Sequence, residues 1–258
     1  MAHVELSIVI PAYNEETFIE DTLGTLDLVI KEKKLRYEVV VVDDGSQDAT
    51  LAKTQKYASQ NGHVKVIHYS KNAGKGYALK TGFMETIGDI VVFMDGDMEI
   101  DLNTIAKYIE ALEQGDIVIA TKWHPKSMVY MSSVRKLLSR GFNVLAKILT
   151  NANVKDTQVG LKLMKRSAIE NIFPRLAVKR YAFDVELLAV ANLYGLKIVE
   201  MPVTMKLDAQ FKVKEAWRMF IDLLGIGYRL RVVHWYQSNV PKRDRFTNLL
   251  SAVLRETQ

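Results

Sequence analysis

The sequence predicts an α/β protein built on a doubly wound, mostly parallel sheet, with further helices toward the C-terminus. Short β-branched runs recur between stretches of helical length, and polar turns rich in Gly and acid follow those runs. A chain of 258 residues that is 48% hydrophobic is also long enough to bury a full core.

The strand-type runs are ELSIVIP, YEVVVVDD, HVKVIHY, DIVVFMD and DIVIAT. Polar or amphipathic stretches of helical length separate most of them, which argues for right-handed βαβ units. In such sheets ligands lie beyond the carboxyl ends of the strands. The turns found there, PAYNEE, DDGSQD, KNAGKG and DGDME, are therefore expected on one edge. After about Thr121 the pattern becomes mainly helical. It shows a basic amphipathic helix around 131–150, a strand-like LKIVEMPVTM, and helices near 212–236 and 243–256. No repeat, low-complexity segment or Pro/Gly/Ser linker divides the chain. The expected organisation is one catalytic unit over residues 1–236 and a helical tail over 237–258.

Composition excludes several functions. There is no cysteine, so disulfides, thiolate metal sites and a Cys nucleophile are ruled out, and a reducing compartment suits the chain. The start, MAHVELSIVIPAYNEE, lacks the pattern of a signal peptide, and no stretch is uncharged and apolar over the ~18 residues a membrane span needs. The net charge of +5 is unevenly spread: from Ile117 to Lys155 there is no acid, while Lys122, Lys126, Arg135, Lys136, Arg140, Lys147 and Lys155 fall inside. A charge run is often only a solvated face. Without a nucleic-acid-binding module, an anionic small substrate or an anionic membrane surface suits this one better than nucleic acid.

The chemistry concentrates in VVFMDGDMEI, residues 91–100, which sets Asp95, Asp97 and Glu99 at every second position. On an ideal strand the three would share a face, although Gly96 lets the backbone turn. Mg²⁺ and Mn²⁺ take hard oxygen ligands, commonly one or two carboxylates completed by phosphate oxygens. Alone, an Asp-x-Asp is also an ordinary turn. At the end of a strand beside PAYNEE and DDGS, it reads as a metal and diphosphate site next to a nucleotide pocket.

PAYNEE (11–16), VVVVDDGSQDAT (39–50), NAGKGYALKTG (72–82) and FMDGDME (93–99), in this order, resemble the nucleotide-binding half of the family 2 inverting glycosyltransferases, which have the GT-A fold. DTQVGLKLMKR (156–166) and YAFDVELL (181–188) resemble the subgroup that makes dolichyl-phosphate hexoses, its glucose-transferring members nearest and its mannose-transferring members close behind. The resemblance spans roughly residues 5–220. It implies a metal-dependent transfer of a hexose, glucose first and mannose second, from a nucleotide sugar to a polyprenyl phosphate.

Carried over residue by residue, the resemblance places Pro11, Tyr13 and Glu15 around the base and ribose and Asp43 against the base, with Asp44 fixing the DGS turn. It places Lys75 on the donor phosphates, and Asp95 and Asp97 on the ribose and the Mg²⁺ or Mn²⁺ ion. Glu99 stands where mannose-transferring relatives often have glutamine, and either joins the metal or faces solvent. For the acceptor phosphate the matching cations are Lys122, Arg135 and Lys162, with Lys206 and Lys212 as further candidates. Lys122 stands for the commoner arginine, which keeps the charge and loses the bidentate fork. Asp184 and Glu186 either orient the acceptor or hold internal basic side chains.

Such an acceptor explains why no dedicated base is evident, because a phosphate monoester with a second pKa of about 6 is already largely dianionic at neutral pH. The residues Val213, Trp217, Phe220, Leu224 and Tyr228 recur near helical spacing, the mark of a helix docked on a core. With Lys214, Arg218 and Arg229 beside them, the same helix also suits a bilayer interface. The expected location is peripheral, on the cytoplasmic face of a membrane, held directly or by a separate membrane anchor protein. Two other classes remain: a GT-A enzyme with a non-lipid acceptor, and a catalytically silent nucleotide-sugar-binding scaffold. The scaffold is disfavoured by the presence of Asp43, Lys75, Asp95 and Asp97 together.

Overall fold

A computed structural model describes residues 3–207 and 213–238. Four βα units and a fifth strand come first: β1 (Leu6–Ala12), α1 (Ile19–Glu32), β2 (Tyr37–Asp43), α2 (Thr50–Gln60), β3 (Val64–His68), α3 (Lys75–Met84), β4 (Ile90–Phe93), α4 (Ile105–Ala111) and β5 (Ile117–Thr121). All five strands read from the sequence are present. The second half contains β6 (Met128–Tyr130), α5 (Ser133–Thr150), β7 (Lys162–Lys165), α6 (Arg166–Ile169), α7 (Phe183–Leu193), β8 (Ile198–Pro202), β9 (Thr204–Lys206), α8 (Val213–Arg231) and α9 (Trp235–Ser238).

Seven strands form one sheet in the order β3-β2-β1-β4-β7-β5-β8, and β6 pairs with β9 in a separate ribbon. Every pairing in the large sheet is parallel except those of β7, which runs antiparallel to both β4 and β5. This strand is absent from the sequence reading, which took the second half as mainly helical. Its KLMK has no β-branched run, and what makes it a strand is the slot between two finished neighbours.

The sheet is buried on both faces, as parallel sheets covered by helices are. Val9, Val40, Val42 and Val91 point to a core shared with α3, α5, α7 and α8, while Ile8, Ile10, Val39 and Val41 point to one shared with α1 and α4. α1 supplies the latter with Ile19, Leu23, Leu26 and Ile30, spaced as one helical stripe. α5 is capped at both ends: the Ser132 hydroxyl accepts from the Arg135 N–H, and Asn151 closes the helix in the left-handed region at φ 55°.

α8 departs from the simplest expectation. Its buried residues are Leu223, Ile226 and Leu230, whereas Trp217, Leu224 and Tyr228 of the stripe read as core-facing are exposed. Both stripes have helical spacing, so periodicity alone does not tell which one meets the core. The expected helix at 243–256, residues 239–258 of the expected tail, and Lys212 lie outside the described residues.

Candidate active site

The carboxyl ends of β1, β2 and β4 converge where the strand order reverses around β1, the place at which doubly wound sheets open a crevice. The two loops after β1 and β2 are tied together. Asn14 N–H donates to the Ser46 hydroxyl, Gln47 N–H to the Asn14 side chain, Glu15 N–H to Thr50 Oγ1 and Ala49 N–H to the Glu16 carboxylate. Asn14 is itself left-handed at φ 58°, a conformation Asn tolerates better than most residues. Pro11 ends up within β1, Tyr13 is 42% exposed, and Glu15 is half-buried.

Asp43, the last residue of β2, is fully buried. One carboxylate oxygen, Oδ2, meets His68 Nδ1 at 2.7 Å and Ser46 N–H at 3.4 Å, while Oδ1 has no hydrogen-bond partner. A buried acceptor left without a partner costs free energy unless a ligand donor completes it. His68 holds the rotamer that leaves it open. The sequence reading missed His68, although it lies directly opposite Asp43 in the β2–β3 register. Asp44 does not fix its own DGS turn as expected; it reaches across to accept from the N–H groups of Ala73 and Gly74 at 2.7 and 2.8 Å. That pins the loop preceding α3 and sets Lys75 at the first residue of the helix.

Lys75 Nζ lies 2.6 Å from Asp95 Oδ1 and 3.5 Å from Asp184 Oδ2. Burial works against its charge, but the two carboxylates outweigh burial and raise its pKa, so it is a fixed cation. Asp95 is confined from the other side by Gly160: a Cβ on that glycine would lie 2.0 Å from Asp95 Oδ2. Gly160 belongs to the VGLK stretch and was not singled out by the sequence.

The acidic residues beyond Asp95 do not lie along a strand. β4 ends at Phe93, and the DGDME stretch is a turn held by Thr22 Oγ1 donating to the Gly96 carbonyl at 2.9 Å, with Met98 left-handed at φ 56°. Within it the Asp97 carboxylate accepts from the Glu99 N–H at 3.1 Å. Burial, then the charge of Asp95, raises the Asp97 pKa. Burial and the neighbouring carboxylates Asp97 and Asp95 push both Glu15 and Glu99 up to about 7, while Arg135 and Lys122 act on Glu99 in the opposite direction. Among the described residues no three Asp, Glu or His side chains are close enough to hold a metal ion between them, so the expected trio Asp95, Asp97 and Glu99 does not form a closed cage. The donor set still suits a hard divalent ion: crowded carboxylate oxygens whose mutual repulsion a cation would relieve, with phosphate oxygens as its usual other ligands.

The expected acceptor cations divide into two kinds. The Lys122 side chain is buried, its ammonium 2.9 Å from the fully buried Asp156, whose carboxylate also takes the Lys122 N–H. Lys162 is 1% exposed; it meets Asp184 Oδ1 at 2.8 Å and donates to the Val159 carbonyl at 2.6 Å. Lys162 is thus enclosed by internal partners and positions Asp184, which in turn touches Lys75. Arg135 starts α5 and stands within electrostatic reach of Glu99, and the Lys206 N–H donates to the Glu99 carbonyl at 3.0 Å. Asp184 therefore holds internal basic side chains. So does Glu186, which accepts from the Ala177 and Val178 N–H groups, the Tyr236 hydroxyl and Arg229. Tyr181, half-exposed and within reach of the charges of Lys75, Asp95 and Glu15, joins the rim without having been anticipated individually.

Known proteins resemble this chain over most of its length. The family model described as Glycosyl transferase family 2 matches residues 7–173. The chain is 34% identical over 250 residues to a human dolichyl-phosphate beta-glucosyltransferase, covering 90% of this chain and 77% of that one. It is 31% identical over 261 residues to its Drosophila melanogaster namesake, covering 94% and 80%. Among solved structures, glucosyl-3-phosphoglycerate synthase from Mycobacterium tuberculosis, in complex with Mn²⁺, UDP-glucose and phosphoglyceric acid, superposes with a TM-score of 0.67 at 19% identity over 93% of this chain and 81% of that one. That likeness carries the GT-A-type fold.

Proposed function

The chain belongs to glycosyltransferase family 2, and from that premise we propose that it moves glucose from UDP-glucose to dolichyl phosphate, with a divalent cation, Mn²⁺ or Mg²⁺, at the donor diphosphate. The observation that carries this reading is the polarity of the site. An acidic basin of Glu15, Asp95, Asp97 and Glu99 lies over the sheet's switch point, and the charges of Arg135 and Lys122 bear on its Glu99 side. A nucleoside diphosphate with its cation suits the first, and a phosphate monoester suits the second.

In this reading the open Asp43 oxygen accepts from the imide of the base, and Pro11, Tyr13 and Glu15 border base and ribose. Asp97, with Asp95 or Glu99, holds the cation, which supplies Lewis-acid stabilisation of the leaving diphosphate when bound. Lys75, already a fixed cation beside Asp95, adds a second positive charge at that diphosphate. Arg135, with Lys206 and Lys212, attracts the acceptor phosphate. That phosphate is largely dianionic at neutral pH, so the chain needs no general base, and the buried Asp184 is already bound to two lysines. A single in-line displacement would invert the anomeric centre. The reaction belongs at a membrane surface, where the acceptor resides, and the cysteine-free sequence suits the cytoplasmic side.

The test is incubation with UDP-glucose or GDP-mannose, each with Mn²⁺ or Mg²⁺ and dolichyl phosphate, followed by mass analysis of the lipid. A hexosyl lipid formed from UDP-glucose is expected. Asp97→Ala should abolish the metal-dependent turnover and leave the circular dichroism spectrum unchanged, because Asp97 lies in a turn and not in the core. Preference for GDP-mannose would overturn the donor, and undiminished turnover of the variant would overturn the metal role.

A further inference from the structure

Asp43 and His68 face each other across the β2–β3 register, and the backbone on either side of them is tied down. The Tyr69 N–H donates to the Asp43 carbonyl at 3.1 Å, and the Asp44 N–H donates at 2.8 Å to the carbonyl of Ala12, the last residue of β1. Gly45, left-handed at φ 73°, lets the backbone of Lys71 and Asn72 cross the turn closely: a Cβ there would lie 2.7 Å from the Asn72 nitrogen. The Asp44 carboxylate then holds the N–H groups of the next two residues, Ala73 and Gly74. The carboxylate of Asp43 and the imidazole of His68 therefore meet on a fixed frame.

An ionised carboxylate only accepts hydrogen bonds, so the proton of their contact sits on His68 Nδ1 whether the ring is neutral or charged. Nδ1 lies 2.7 Å from Oδ2, and the Ser46 N–H approaches the same oxygen at 3.4 Å. Oδ2 is thus served twice, while Oδ1 of this fully buried side chain is served by nothing. Nucleobases differ in what they offer to such a group. Uracil presents one donor, its imide N–H, between two carbonyl acceptors. Guanine presents two adjacent donors, the ring N–H and the amino group, which fit both oxygens of a free carboxylate at once. Cytosine presents a ring acceptor where uracil has its N–H.

We propose that His68 is a positioning residue that sets base specificity: by holding Oδ2 it reduces Asp43 to a single acceptor, matched to the imide of uracil and mismatched to the paired donors of guanine. Guanine set against this carboxylate keeps one donor without a partner, the kind of loss by which a hydrogen-bonding site rejects an analogue. The residue type at position 43 does not choose between the two bases, because a free carboxylate accepts from either. Its neighbour on β3 makes the choice. The proposal deepens the proposed function and rests on its reading of the crevice as a nucleoside diphosphate site.

The experiment is titration calorimetry of the full chain with UDP, GDP and CDP, each in the presence of Mn²⁺. The parent should bind UDP roughly tenfold tighter than GDP or CDP, the worth of one hydrogen bond to a charged group. His68→Ala frees Oδ2 and should narrow the UDP-to-GDP ratio by about that factor, while CDP stays weak. His68→Asn, whose side-chain amide can stand in for the Nδ1–H donor, should restore the parental ratio. A role in packing alone would weaken all three nucleotides together and leave the ratio where it was. The ranking in the parent tests the geometry even if His68→Ala does not fold: equal affinity for UDP and GDP, or for UDP and CDP, overturns the proposal. So does a ratio that His68→Ala, once folded, leaves unchanged. If the ratios behave as expected and no hexosyl lipid forms in any assay, His68 keeps this role and the activity reading falls. If glucosyl lipid forms and the ratio ignores His68, the activity reading stands and this proposal falls.

Discussion

Asp95 is held between Lys75, 2.6 Å from one oxygen, and Gly160, whose missing side chain leaves space for the other. Gly160→Ala would force the carboxylate away, because the new methyl carbon would start 2.0 Å from Oδ2. A displacement of this kind at a reacting centre commonly costs about a hundredfold in rate, and kcat should fall by that order with the melting temperature nearly unchanged. Parent-like kcat would mean that Asp95 has another workable position. Residue identities were legible where a loop carries its own chemistry, as in PAYNEE, DDGS and DGDME. Partners were not. Nothing in the sequence says that Lys122 already has Asp156 or that Lys162 already has Asp184, because the loop before β7 and the helix α7 that supply those acids reach the two lysines only after folding. His68 was overlooked for the same reason: its role exists only through the register that sets it beside Asp43.

At the scale of elements, α9 acts as a latch. Tyr236 is fully buried, with its hydroxyl 2.5 Å from the Glu186 carboxylate of α7 and 3.0 Å from Arg229 of α8, while its carbonyl takes Tyr194 OH and Arg175. Tyr236→Phe removes a hydrogen bond to a buried carboxylate and should cost ~2 kcal/mol, lowering the melting temperature by roughly 4–8 °C. A change below about 1 °C, measured by calorimetry, would show that the ring's packing holds the latch and its hydroxyl does not. The helices α1 and α5 follow from apolar stripes that the sequence displays, and α5 also from its caps. α8 shows the limit of that reasoning, since two stripes of equal periodicity compete for the core and the choice is made by Leu149 and the α7 surface, far away in sequence.

For the whole molecule, the acidic basin links stability to pH. Glu15 and Glu99 are raised from 4.5 to about 7, so between those values the folded chain binds more protons than the unfolded one, and folding stability from this source falls as pH rises. Asp27, Glu38 and Asp48 are shifted the other way, down from their ordinary values by hydrogen bonds that outweigh desolvation, so their contribution is lost only in more acidic solution. The metal-free melting temperature should therefore decline from pH 5 to pH 7.5 more steeply in the parent than in a Glu15→Gln/Glu99→Gln variant. Stabilisation by Mn²⁺ with UDP should grow over the same interval. Equal slopes for the two proteins would remove this basin as the cause.

The position of β7 bears on synthesis. During translation β4 and β5 emerge long before residues 162–165, and neither can pair with the other, because the slot between them belongs to a strand not yet made. The first half of the chain therefore waits with an unpaired, β-branched edge at IVVF and a second at IVIAT, the kind of surface that invites pairing between nascent chains. Closure of the sheet is a late, long-range event. Truncation between β5 and β7 should leave a fragment that aggregates rather than a smaller domain.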